Sequence, residues 1–375
     1  MAVLILRLDT SWLKLKKAAV ARPKRSGRGV RWLLRSISGS IGGSEMPGSE
    51  FLRFTDPYEH QKSIRGSEAE FFITAPGKYE AELTRIDFHR LWMQRSQASL
   101  PHVAHYVLNK RRSIVFFLAR SESPPIHHSG IELMSNEIMF DAVGAEHHHR
   151  FSTPGHWASM SLTPDDLAAA GRAIVGYDVV APAASHPVRP PPALMSRLLN
   201  LHETAGRLAG SAPDILAHPQ VARAIEQELI RLMVGCLTDG KSARSDSVHQ
   251  RVPVMRRLER FLEENQDRPI YVAEICAAIG VADRTLRLHS LEHLGMSPHR
   301  YLWLRRMHLV RRALAQADPT RKTVTELAND HGFGELGRFS VTYRKLFGES
   351  PSATLRGDPI PAKPLAPTGR FPILP

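Results

Sequence analysis

The rhythm of apolar positions changes along the chain. From residue 51 to 177 they fall in short runs rich in β-branched and aromatic residues, at 79–86, 89–94, 113–119, 138–142 and 156–162. Turn formers separate several of them, at Pro76-Gly77, Asn109, Pro124-Pro125 and Pro154-Gly155. Such runs predict strands, and many at this spacing predict a small barrel or sandwich. A short helix is expected over 163–171. Thr163 can cap it, Pro164 suits its first position, and Asp165 and Asp166 favour its positive end.

After a proline-rich linker at 182–192 the period becomes helical. Leu194, Leu198, Leu201 and Leu208 mark one helix; Ile225, Leu229, Leu232, Met233 and Cys236 mark a second over 221–237. Stripes of this kind fill an intramolecular core, and the second is also the place where a homodimer contact is expected. A polar stretch, 239–251, leads into the last third. There Met255, Leu258, Phe261 and Leu262 share a helical face, and Asp267-Arg268-Pro269 stops that helix.

Next comes a pattern that occurs twice. A helix over 272–279 carries the small residue Cys276, Gly280 follows four positions later, and a second helix runs over 283–294 with Asp283 as its expected cap. Ile275, Ile279, Val281, Leu286 and Leu291 can fill the core between the two. The copy has a helix over 324–331 with Ala328 at the small position, Gly332 after the same interval, Phe333 in place of Val281, and a second helix over 335–347. One long helix over 298–317, ended by Asp318-Pro319, joins the copies. A single glycine-turned helix pair is a weak signal; two copies about 50 residues apart on one rod are a strong one.

Charge now changes the picture. The formal net charge of +13 favours a polyanionic partner, either nucleic acid or an anionic membrane surface. No run approaches the roughly 18–20 apolar residues that span a bilayer, so a cytoplasmic protein without membrane contact is expected. The only cysteines, Cys236 and Cys276, sit in apolar helical patterns and read as buried thiols of a reducing compartment. Residues 1–45 hold ten Lys/Arg against two acids and read as a disordered basic leader, or as a tail for DNA phosphates. Met46 follows directly and could be the true start.

The string from Gly280 to Leu302 and the string from Thr323 to Arg356 resemble the DNA-binding domain of AraC/XylS-family regulators, including the closing signature Gly332-Phe333 through Phe347-Gly348 and Ser350-Pro351. Thr342-Tyr343-Arg344, Leu346-Phe347-Gly348 and the segment 350–355 are similar to the ethanolamine-utilisation regulator group, as are Asp56-Pro57-Tyr58-Glu59-His60 and Gly77-Lys78-Tyr79. The resemblance implies an α+β protein: a β-rich, cupin-like sensor over 46–180, a linker and helical connector or dimerisation region over 181–250, an all-α domain with two helix-turn-helix units over 251–357, and a proline-rich tail over 358–375.

It also implies roles. Each second helix would enter a major groove of promoter DNA, the two about one turn apart. Arg284, Arg287 and Leu288 would face bases from the first unit; Leu336, Gly337, Arg338 and Val341 from the second. The arginines can donate two hydrogen bonds to a guanine edge. Thr285, Arg305, Thr342, Arg344 and Lys345 are phosphate-contact candidates. RNA polymerase and an unknown small-molecule effector are the other implied partners. An activator is the implied mode, with a ligand-independent repressor as the alternative.

Histidines 147, 148 and 149, with His127, His128 and His156, invite a metal reading. Successive residues on a strand point to opposite faces and no acid stands at a supporting spacing, so these side chains read as surface or partly buried, with no metal and no cofactor. There is no Gly-rich phosphate loop, nucleophile elbow or paired-Cys motif, so no enzyme is expected. The enzymatic alternative is a cupin-type metal enzyme carrying the same DNA-binding appendage.

Overall fold

The structure, a computed structural model, describes residues 48–242, 252–265, 268 and 270–357. The expectations for the leader at 1–45, the start at Met46, the tail at 358–375, Asp267 and Pro269, and most of the polar stretch lie outside these residues. All described residues belong to one compact unit.

The first part of the chain forms strands β1 (Gly48–Phe54), β2 (Ser67–Ile73), β3 (Ala81–Asp87), β4 (Trp92–Ala98), β5 (His102–Leu108), β6 (Ser113–Leu118), β7 (Ile126–His128), β8 (Ile131–Leu133), β9 (Ile138–Phe140), β10 (Glu146–Phe151) and β11 (Gly155–Leu162). Helix α1 (Pro57–Lys62) lies between β1 and β2, and α2 (Pro164–Val175) follows β11. Then come β12 (His186–Arg189), α3 (Pro192–Ser211), α4 (Pro213–Ala217), α5 (Pro219–Thr238) and the short β13 (Lys241–Ser242). The segment expected as a linker therefore holds a strand, β12, which pairs with β9 from His186 opposite Phe140. Pro187 lies within this strand opposite Met139, and Pro190 and Pro191 separate it from α3.

The strands make two antiparallel sheets, ordered β1-β3-β4-β11-β6-β9-β12-β13 and β2-β5-β10-β7-β8. Phe71, Ala104, Tyr106 and Phe151 of the second sheet share a core with Leu83, Phe116, Leu118 and Trp157 of the first. The other face of the first sheet, through Met93, Val115, Phe117 and Met160, packs under α2, α3 and α5. Burial on both faces explains why β6 is apolar from Ile114 to Leu118. Leu229, Leu232, Met233 and Cys236 of α5 are spent in this core, so the stripe expected to serve a homodimer is intramolecular. Thr163 caps α2 as expected, accepting from the Asp166 N–H.

The last third is all helix: α6 (Val252–Glu264), α7 (Val272–Ile279), α8 (Asp283–Leu294), α9 (Pro298–Gln316), α10 (Val324–Asp330), α11 (Leu336–Phe347) and α12 (Pro351–Arg356). Gly280 and Gly332 both adopt left-handed φ values, +67° and +77°, where a side chain would be strained. In both turns the next N–H reaches back to the small residue: Val281 N to Cys276 O at 3.1 Å and Phe333 N to Ala328 O at 2.9 Å. The repeat read from the sequence is thus a repeat of hydrogen bonds. Asp283 does not cap α8; Ala282 holds that position and Asp283 pairs with Arg287 at 3.1 Å.

Candidate DNA interface

Each unit has its own core. Ile275, Ile279, Leu286 and Leu294 close the first, together with Tyr301 and Leu302 from the start of α9. Leu304, Met307, Val310 and Leu314, farther along the same helix, close the second with Ala328, Phe339, Tyr343 and Leu346. At 1.5 Å per residue α9 is a rod roughly 28 Å long, and it belongs to both cores. The two units are therefore fixed to one element rather than tethered by a loop.

The sides of α8 and α11 away from these cores are open. Arg284, Arg287 and Leu288 are exposed, as are Gly337, Arg338 and Val341. Leu288 is 61% and Val341 71% exposed, and Leu291, expected in the core between the two helices, is 50% exposed one turn farther along α8. Arg287 pairs with Asp283 and Arg338 with Glu335 at 3.6 Å, both at the surface. Such exposed pairs are weak and screened, so they release their guanidinium groups easily to a base edge or phosphate. Gly337 has open space where a Cβ would stand, which permits close backbone approach.

Other expected contacts fall elsewhere. Leu336 is half-buried against the second core, so its side chain is partly committed to packing. The Thr342 hydroxyl donates to the Arg338 carbonyl at 2.7 Å and must rotate before it can donate to phosphate. Thr285 is half-buried, and Arg344 and Lys345 are exposed on the last turn of α11. Arg305 is a correction: it is only 3% exposed and ion-paired to Glu259 and Glu70, so in this arrangement it cannot reach phosphate.

Arg305 belongs to a buried seam between the helical domain and the outer face of the β2-β5-β10-β7-β8 sheet. Phe72 and Val103 of that sheet join the first unit's core. Glu259 of α6, fully buried, accepts from Tyr301 at 2.9 Å and meets His148 of β10 at 2.8 Å. Burial raises its carboxyl, but His105, His148 and Arg305 outweigh that and hold it at about 2. Burial pushes the His148 ring below its ordinary value, and Glu259 beside it pulls the other way. Farther along, His308 Nε2 accepts the Ile73 N–H at 2.9 Å, and Arg311 bridges Asp56 and Glu349. The sheet also meets the trailing end of α8: a Cβ on Gly130 would lie 3.2 Å from Glu292, and one on Gly295 would strike Arg150. The leading end of α8, with Arg284 and Arg287, stays clear.

The same sheet overturns the reading of the histidines. His128, His147, His148 and His149 are all buried. Alternation along β10 sends His148 to Glu259 and sends His147 and His149 inward, where His128 of β7 joins them through its pairing opposite His149. His127 and His156 are only half-buried and stand apart from this cluster. The alternation that argued against convergence in the sequence produces it here, because positions 147 and 149 share a face.

Residues 275–357 match the family described as "Helix-turn-helix domain". The chain is 33% identical over 150 residues to the "Probable thc operon regulatory protein" of Rhodococcus erythropolis, covering 40% of this chain and 45% of that protein. It is 36% identical over 103 residues to the "XylDLEGF operon transcriptional activator 2" of Pseudomonas putida, covering 28% of this chain and 66% of that protein. The last third is a helix-turn-helix domain. The chain spans about half the length of several of the curated relatives it matches. Among solved structures, the AraC-like transcriptional activator CuxR covers 76% of this chain and 100% of its own, with a TM-score of 0.36 and 14% identity. The matched segment holds all the exposed arginines of both second helices named above and the rod that joins them.

Proposed function

We propose that the chain is a sequence-specific DNA-binding transcription regulator, most simply an activator. What carries the reading is the pair of open faces, Arg284-Arg287-Leu288 on α8 and Arg338-Val341 on α11, held on one rod. The arginines would read guanines and the exposed leucine and valine would pack on thymine methyl groups in successive major grooves. Arg344 and Lys345 would add phosphate contacts without sequence preference.

In this proposal the β-sandwich is a cupin-like sensor for a small-molecule effector, and the buried seam passes its state to the AraC-type domain. An effector that binds one docked arrangement better than another shifts the population accordingly. The proposed partners are promoter DNA and RNA polymerase in the cytoplasm. No helix among the described residues is long and apolar enough to cross a membrane. The likeness of Thr342-Tyr343-Arg344 and Leu346-Phe347-Gly348 to the ethanolamine-utilisation group makes ethanolamine the first effector to try.

In vitro selection from random duplexes tests the core of this reading. The purified chain should enrich a bipartite motif whose halves are about ten base pairs apart and contain guanines. Enrichment of no motif would refute sequence-specific reading.

A further inference from the structure

The interior of the sandwich holds a group of side chains that DNA reading does not use. His128, His147 and His149 each place one imidazole nitrogen within 4.8 Å of the others. Their ring centroids are 4.3 Å apart for His128 and His147 and 4.7 Å for each of the other two pairs. Asp141, just after β9 on the facing sheet, brings Oδ1 to 3.3 Å from His128 Nε2. All four residues are at most 5% exposed.

A structural cluster of this kind would satisfy itself with hydrogen bonds, because buried polar atoms are costly to leave unpaired. This one does not. The single bond within it runs between His149 Nε2 and His128 Nδ1, at 2.8 Å. His147 Nδ1, His149 Nδ1, His128 Nε2, both Asp141 oxygens and the nearby Tyr106 hydroxyl have no aligned hydrogen-bond partner; the His128–Asp141 approach is close but off-angle. Three imidazoles and a carboxylate on two facing sheets are the donor set that a borderline divalent ion prefers.

The surroundings supply room and a route. A cavity of about 40 Å³ beside Asp141, His147 and His149 has space for a water or a similarly small ligand, not for an organic effector. His128 and His147 also line an outer cleft of about 380 Å³ that includes Ser129 and Arg256. An ion can therefore enter from the cleft and keep a small ligand on the inner side.

We propose that His128, His147 and His149, with Asp141 as fourth donor, bind a divalent first-row transition-metal ion inside the sandwich. The ion lies one residue along β10 from His148, whose other face fastens the AraC-type domain through Glu259. Ligation stiffens the strand that carries this fastening, which makes the ion a candidate signal. That consequence rests on the regulator reading; the site itself does not.

The test uses the full chain, stripped with a chelator and titrated with Co²⁺ in the absence of DNA, so the outcome is independent of DNA binding. One cobalt per chain should bind, with visible d–d absorption and with imidazole scattering from three ligands in X-ray absorption. Zn²⁺ should displace it. His147→Gln and His149→Gln should each weaken uptake on the order of 100-fold or more, with melting of the metal-free chain reporting their folding, while His156→Gln leaves uptake unchanged. The X-ray absorption measurement needs no variant. Failure of the folded wild-type chain to take up Co²⁺ or Zn²⁺ at micromolar concentration would overturn the proposal. So would a bound ion with fewer than two imidazole ligands, or uptake unaltered in both folded variants.

Discussion

Arg287 shows how one side chain carries an assignment. It is exposed, its ion pair with Asp283 is at the surface, and it stands on the open side of α8. Arg287→Ala should cost about 1–3 kcal/mol in specific DNA binding and relax preference at one base pair. Lys345→Ala should instead weaken binding to all sequences alike and lower the salt slope by about one. Titrations against a panel of single-base operator variants at two salt concentrations separate these outcomes. Glu259 is the opposite kind of residue, buried and surrounded by His105, His148, Tyr301 and Arg305. Glu259→Ala leaves Arg305 one counter-charge short and Tyr301 and His148 without their acceptor, and should destabilise the chain by about 3–5 kcal/mol. A melting temperature equal to wild type would show that the seam contributes little.

Among the elements, the helices of the last third were the most legible in the sequence. The small residue, glycine and following apolar residue recur at fixed intervals, and the two turns close with equivalent hydrogen bonds at Val281 and Phe333. Local geometry suffices there. Strands β2, β5 and β10 were not among the expected runs, because the polar residues Glu70, His105, Glu146 and His148 interrupt their apolar pattern. Three of them are satisfied by residues far along the chain: Arg312 and Arg305 for Glu70, Arg256 for Glu146, and Glu259 for His148. No pattern within a strand announces a partner more than a hundred residues away. Arg305 was misassigned for the same reason. By contrast the exposure of Arg284, Arg287, Arg338 and Val341 follows from the helical period and was readable, whereas Leu291, expected in the core, is half exposed.

Helix α9 also carries a pH response. His308, buried against Phe72 and Phe347 with its Nε2 accepting from Ile73, is held at about 3 by burial, then by Arg311 beside it, with Arg312 adding and Asp56 opposing. A histidine depressed below its unfolded value contributes its full stability above about pH 6.5 and loses it as pH falls toward 3. Between pH 6.5 and 5 that is about 2 kcal/mol from this residue alone. Melting curves at pH 7 and pH 5 should show a smaller acid-induced drop for His308→Gln, which keeps an acceptor but does not titrate. An equal drop would assign the acid sensitivity to other buried histidines.

The described residues are layered: α2, α3 and α5, then the larger sheet, then the smaller sheet, then the helix-turn-helix domain. The smaller sheet presents its inner face to the histidine cluster and its outer face to the seam, so whatever occupies the sandwich acts one strand's thickness from the DNA-binding part. The seam grips the trailing end of α8 and leaves the leading ends of both second helices open. On the proposed reading, the helices reach DNA without the seam first coming apart. The central claim is that both helices read one face of a duplex together. Guanine-methylation interference on a selected site tests it most directly. Two clusters of interfering major-groove guanines centred about ten base pairs apart are expected, the first disappearing in Arg287→Ala and the second in Arg338→Ala. A single cluster lost in only one variant, or interference confined to the minor groove, would contradict it.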